Sequence, residues 1–149
     1  MDKLELKPLE GINDIKFGLN EKTILEYFGE PEEKEELDPI EDYITVLWHY
    51  WDIGVTVFFD KRKELVFTSI EVDNVDAELW GHRIFDMGEE ELKKIFTSKG
   101  YSDIDIEITE NNEKRVSFDD AMVDLYFEEG QLTGISYGIF IDDDITMLN

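Results

Sequence analysis

Cysteine is absent from the 149 residues, which excludes a disulfide framework and any thiolate metal site. No segment approaches the roughly 18 continuous apolar residues of a membrane helix. The first residues, Met1-Asp2-Lys3-Leu4-Glu5, hold no apolar run of signal-peptide length. A soluble, cytoplasmic protein is the expectation. Basic residues are scarce, with 14 Lys and Arg against 38 Asp and Glu and a net charge of −24. Residues 1–74 carry −11 and residues 75–149 carry −13, so the excess is spread along the chain. Such a field repels nucleic acid and anionic membrane and steers cationic partners inward.

Motifs of catalysis are missing as well. Gly-x-x-x-x-Gly-Lys-Ser/Thr, Gly-x-Gly-x-x-Gly, Gly-x-Ser-x-Gly and His-Glu-x-x-His do not occur. The histidines, His49 and His82, stand in unrelated contexts, and a metal site needs three or four converging ligands. In Asp103-Ile104-Asp105-Ile106-Glu107-Ile108 the period of two puts acids on one side and isoleucines on the other. That reads as a half-buried strand with a solvated side, because Ca²⁺ needs six or more oxygens brought round it. Asp142-Asp143-Asp144 has the same standing. No enzyme, cofactor or metal is expected.

What is present is a repeat. Phe17 to Asp60, moved forward 68 residues, falls on Phe85 to Glu128 without a gap. Phe17 lands on Phe85, Ile24 on Leu92, Phe28 on Phe96, Trp48 on Val116, Tyr50 on Phe118, Val57 on Leu125 and Phe59 on Phe127. Separated blocks that share one offset point to duplicated supersecondary units. The expected architecture is α+β, a single domain over 1–149 made of two repeats at about 12–74 and 80–141. Each repeat is a helix followed by an antiparallel meander, and together they form one broad sheet with two helices on one face.

The elements follow from local chemistry. Asn20 is placed to cap a helix bearing Ile24, Leu25, Tyr27 and Phe28 on its inner face, which Gly29-Glu30-Pro31 stops. Its counterpart runs from Gly88 to Lys99 with Leu92, Ile95 and Phe96 inward and Gly100 as the stop. Leu4, Leu6 and Leu9 in residues 1–16 suit an edge strand or irregular packing, and the acidic stretch 32–42 reads as a solvated loop. Strands are expected at Tyr43–Trp51, Gly54–Phe59, Leu65–Val72, Ile104–Thr109, Arg115–Phe118, Met122–Phe127 and Leu132–Phe140. Positions apolar in both copies (Trp48/Val116, Tyr50/Phe118, Val55/Val123, Val57/Leu125, Phe59/Phe127) should face the helices. The alternating set, His49/Ser117, Trp51/Asp119, Thr56/Asp124 and Phe58/Tyr126, should line the open face.

Gly18-Leu19-Asn20, Tyr27-Phe28-Gly29-Glu30-Pro31, Trp48-His49-Tyr50, Val55-Thr56-Val57-Phe58-Phe59-Asp60, Leu65 and Ile70 follow one another in the first copy. This succession resembles the small outer-membrane assembly lipoprotein (SmpA/OmlA) family. The second copy is more degenerate, with Asp86 for the first glycine, Gly100 for the Gly-x-Pro stop and Val116-Ser117-Phe118 for Trp-x-Tyr. The tandem arrangement is similar to that of the β-lactamase inhibitory proteins. The resemblance implies two helix-plus-meander units that bind a protein target with the open sheet face.

Trp51, Phe58 and Tyr126 are therefore the expected anchors on that face, with His49 beside Trp51. Asp119, Asp124, Glu35, Glu36 and Asp38 would supply the acidic rim and the steering field. The expected function is a non-enzymatic inhibitor or immunity-type module that caps a basic protein, for example a toxin nuclease. The alternatives are a structural or accessory protein that forms a homodimer through the same face, and a small-molecule-binding domain.

Overall fold

The computed structural model describes residues 3–40, 43–61, 64–109 and 111–140. The described residues are mixed α and β, with two helices and mostly sheet. In order the strands and helices are β1 (Glu5–Lys7), β2 (Gly11–Ile12), β3 (Ile15–Lys16), α1 (Glu21–Phe28), β4 (Glu33–Glu36), β5 (Ile44–Tyr50), β6 (Val55–Lys61), β7 (Leu65–Val72), β8 (Glu78–Leu79), β9 (His82–Arg83), α2 (Glu89–Ser98), β10 (Ile104–Ile108), β11 (Lys114–Phe118), β12 (Val123–Glu128) and β13 (Gln131–Gly138). Short 3₁₀ turns occupy Trp51–Ile53 and Ile84–Asp86.

Asn20 caps α1 by accepting the Thr23 N–H on its side-chain oxygen at 3.1 Å. Gly29, at φ 81°, ends the helix by donating its N–H to the Leu25 carbonyl, a conformation that suits a residue without Cβ. At α2 the Glu91 carboxylate accepts the Gly88 N–H, a helix start made without a capping side chain at Gly88. Only Ile24 of α1 is fully buried, and Phe28 packs against the core. The inward set expected for this helix is thus too wide. Leu25 and Tyr27 are 36% and 38% exposed, and the Tyr27 hydroxyl instead accepts the Asn13 side-chain N–H. In α2, Leu92 and Phe96 are buried.

The large sheet is antiparallel throughout, with eight strands in the order β10-β11-β12-β13-β7-β6-β5-β4. The two meanders meet through β7 and β13. Each has an irregular register, at Phe58/Phe59 and at Tyr126/Phe127. The ten positions assigned to the inner face, from Trp48 to Phe127, are all buried. Above them Phe28 packs on Tyr50, Phe96 stacks on Phe118, and Phe17 sits against Phe67 and Tyr137.

The sheet is accompanied by a second one, which the sequence reading did not foresee. Its five short strands run β3-β2-β1-β8-β9, with β1 and β8 parallel. The N-terminal segment buries Leu4, Leu6, Ile12 and Ile15, and its backbone groups must find partners once out of water. The residues joining the two meanders supply them through β8. The acidic stretch after α1 also differs from expectation, since Glu33–Glu36 forms the edge strand β4. An edge strand needs one row of hydrogen bonds and leaves its charges in solvent, which protects the edge from further pairing.

At the opposite edge β10 is exposed along its length, so the half-buried strand expected there is not found. Ile104, Ile106 and Ile108 lie on the covered side by register, opposite Phe118, Val116 and Lys114, but project beyond the layer that buries Val116. The acidic run Asp142-Asp143-Asp144 lies outside the described residues. Among the described residues, no helix is long and apolar enough to cross a membrane.

Candidate functional site

Register fixes what stands together on the uncovered face. One row crosses the whole large sheet: Glu33, His49, Thr56, Glu71, Ser136, Asp124, Ser117 and Asp105 pair in succession. Cross-strand neighbours point to the same side, so these residues share one surface. Successive side chains alternate in a strand, and residues two positions away therefore lie on the same face to either side of the row. On one side are Phe58, Ser69 and Gly138; on the other are Trp51, Gly54, Asp73, Gly134 and Tyr126.

A cavity of about 580 Å³ opens on this second side. His49 and Trp51 form one wall, their rings stacked with centroids 5.3 Å apart and planes 18° off parallel. Tyr126 and Glu113 form the opposite wall, and Thr56, Val72 and Gly134 lie between. Gly134 leaves the floor open because it has no side chain, and it is the register partner of Tyr126. Trp51 is 58% exposed. It sits in the 3₁₀ turn that follows β5, not in the strand itself.

The cavity is electrostatically one-sided. Among the described residues its lining includes the carboxylates of Glu71, Asp73 and Glu113 and no lysine or arginine. Glu71 remains exposed, yet desolvation by the surrounding sheet, reinforced by the Asp73 charge, raises its carboxyl above the usual range, with His49 pulling the other way. The hydroxyl of Tyr126 is pushed up for related reasons, first by burial and then by Asp124 and Glu71. His49 is held at both ring nitrogens, Nδ1 lying 3.1 Å from the Thr56 hydroxyl and Nε2 donating to Glu35 Oε1 at 3.0 Å.

Three of the expected residues, His49, Trp51 and Tyr126, thus converge on the cavity. Phe58 is on the same sheet face but across the Glu33–Asp105 row, paired with Leu47 and Ser69. The expected aromatic patch is therefore divided. Asp124 accepts a hydrogen bond from Ser117 Oγ within the row, and Asp119 is exposed in the turn after β11, away from the cavity. Glu35 reaches the wall through His49. Glu36 pairs with Val46 on the covered side, because one step along a strand reverses the face. Asp38 is exposed beyond β4.

Glu71, Asp73, Glu113 and Gly134 were missed. Glu71 had a signal, since it alternates with the core residues Ile70 and Val72. The others become neighbours only when β7 pairs with β13. Among the described residues no cluster of three His, Asp or Glu is arranged to hold a metal ion. Comparison with protein-family models, with curated proteins and with solved structures finds no match.

Proposed function

We propose that this chain is a non-enzymatic binding module that docks a basic protein on the open face of its large sheet, in the manner of an inhibitor or immunity protein. The observation that carries this reading is the row from Glu33 to Asp105. It spans every strand of the sheet, contains Glu33, Glu71, Asp124 and Asp105, and holds no lysine or arginine. An acidic, partly aromatic surface gives a cationic partner both steering and anchors. A second copy of the chain would lay acids on acids, which disfavours the homodimer.

The same proposal includes a tandem origin for the face. The helices begin at Glu21 and Glu89, the register irregularities fall at Phe58/Phe59 and Tyr126/Phe127, and isolated bridges join Asn20 to Val66 and Gly88 to Gln131. The first members of these pairs all differ by 68 residues. Two fused units place their open faces side by side, doubling the docking area available to either one.

The test is retention from the native cell lysate at low and high salt, with the wild type beside Trp51→Ala/Tyr126→Ala and Glu71→Lys/Asp124→Lys. A basic protein held by the wild type, released by salt and lost from both variants supports the reading. Identical retention by all three chains sinks it.

A further inference from the structure

We infer that the cavity between Trp51 and Tyr126 is a receptor for one arginine side chain, projected from the basic partner of the docking face; the inference rests on that docking role. The cavity volume, about 580 Å³, falls within the roughly 300–1,000 Å³ of small-ligand sites. It therefore admits a long side chain together with some of the backbone that carries it.

The walls select a planar cation. Trp51 presents an aromatic face already stiffened by stacking on His49, and His49 is fixed in turn by Thr56 and Glu35. Indole is the best aromatic partner for a cation, and guanidinium also stacks on such rings. Glu71, Asp73 and Glu113 surround the same space. None of these carboxylates forms a hydrogen bond or ion pair with another side chain among the described residues. The neighbouring arginine, Arg115, is engaged with Asp105 and Glu107 at the sheet edge. Among the described residues the cavity thus lacks a lysine or arginine to neutralise its carboxylates and a cover for the part of the Trp51 indole that stacking on His49 leaves in solvent. A guanidinium supplies both, with its fork on the carboxylates and its plane on the ring.

The source of that cation is a protein side chain and not a free amine. Trp51 is 58% exposed, so a lone small cation leaves most of the indole in water. Covering it takes the body of a partner, as at the water-excluded centre of a protein interface. The flanking acids Glu33 and Glu35 extend beyond the cavity along β4 and favour further positive charge around the inserted arginine.

The experiment is a titration of the ¹⁵N-labelled full chain followed by heteronuclear NMR. The probes are N-acetyl-arginine amide and its neutral isostere N-acetyl-citrulline amide. Arginine is expected to give saturable shifts centred on the Trp51 indole, Glu71, Tyr126 and Gly134, with citrulline at least about tenfold weaker. Glu71→Gln should weaken arginine binding about tenfold, as for the loss of one charge-assisted hydrogen bond. Gly134→Leu fills the floor without changing charge and should abolish it. Equal binding of citrulline, shifts spread evenly over acidic surface outside the cavity, or unchanged affinity in Glu71→Gln would overturn the site.

The two readings separate cleanly. A basic lysate protein retained by Gly134→Leu as well as by wild type overturns the arginine site and spares the docking face. Cavity-specific arginine binding by a chain that retains no basic protein sustains the site and overturns the docking face.

Discussion

The hydroxyl of Tyr137 donates to the carbonyl of Gly11 at 2.7 Å, joining β13 of the large sheet to β2 of the small one. The same oxygen accepts the Lys7 N–H at 3.3 Å. Burial pushes the phenol far above its usual range, opposed only by the Lys7 hydrogen bond, so it stays protonated and donating at neutral pH. The small sheet is thereby tied to the strand that joins the two meanders, beneath the face that carries the cavity.

Tyr137→Phe tests that tie. The ring still packs against Phe17, but the buried Gly11 carbonyl loses its donor and Lys7 loses its acceptor. An unsatisfied buried group costs about 1–3 kcal/mol, a melting temperature lower by about 3–10 °C for a chain of this size. Thermal unfolding followed by circular dichroism reads it. A variant that melts with the wild type would show that the tie contributes nothing.

Glu71→Gln should stabilise the protein, contrary to the usual effect of removing a charge from a strand. The folded-state carboxyl lies above its ordinary value of 4.5, first from desolvation and then from Asp73. The ionised form is therefore disfavoured by folding. The penalty is fully present above the folded pKa and disappears as pH falls below the unfolded one. Because Glu71 is exposed, solvent screening limits the gain to about 0.5 kcal/mol, or about 1–2 °C at pH 7. The gap between variant and wild type should close toward pH 4. A variant less stable than wild type at pH 7 would mean that Glu71 has a cationic partner in the folded chain. The sign matters for function, since a site that destabilises its own chain gains when a cation arrives.

How far the cavity was legible in the sequence depends on which level of structure each part needed. Trp48, Val57, Val116 and Leu125 declared the covered face because alternation and the shared offset act within single strands, and all four are buried. His49 and Tyr126 followed from the same alternation. What could not be read was the order of strands. Phe58 and Tyr126 occupy matching positions 68 residues apart, yet the β7–β13 pairing places them on opposite sides of the central row. That pairing also brings Asp73 and Gly134 to one floor. Composition misled at β4, where Glu33-Lys34-Glu35-Glu36 looks like a solvated loop. The strand forms there because β5 offers it a free edge, and Lys34 places its ammonium over the Trp48 ring at 4.7 Å.

Two glycines of β13 should behave in opposite ways. A Cβ on Gly138 would fall inside contact distance of Ser69 Cβ and the Thr68 carbonyl, both part of the neighbouring strand β7. Backbone cannot move aside cheaply, so Gly138→Ala is expected to cost about 1–3 kcal/mol. At Gly134 the nearest atom to a new Cβ is the Val72 carbonyl oxygen at 3.7 Å, an ordinary contact. Gly134→Ala should leave stability unchanged or raise it by roughly 0.5 kcal/mol, because it reduces the freedom of the unfolded chain. Urea unfolding of the pair measures the difference. Equal losses would mean that the floor of the cavity is as tightly packed as the β7–β13 contact, which would also leave no room for an inserted side chain.

Salt should strengthen the fold while it weakens binding, and the opposition of sign is diagnostic. With a net charge of −24 distributed over both halves of the chain, folding brings like charges together and costs self-repulsion. Raising sodium chloride from about 0.1 M to about 1 M shortens the screening length from about 10 Å to about 3 Å. The native state should gain about 1–2 kcal/mol, or roughly 3–8 °C in melting temperature. Chloride is preferred to sulfate, whose exclusion from protein surfaces stabilises almost any fold. Over the same range attraction between the acidic row and a basic partner is screened away, so the half-saturating concentration should rise. If the melting temperature and the affinity rise together, burial of the apolar surface around Trp51 dominates association, and the row from Glu33 to Asp105 acts as a solvating surface.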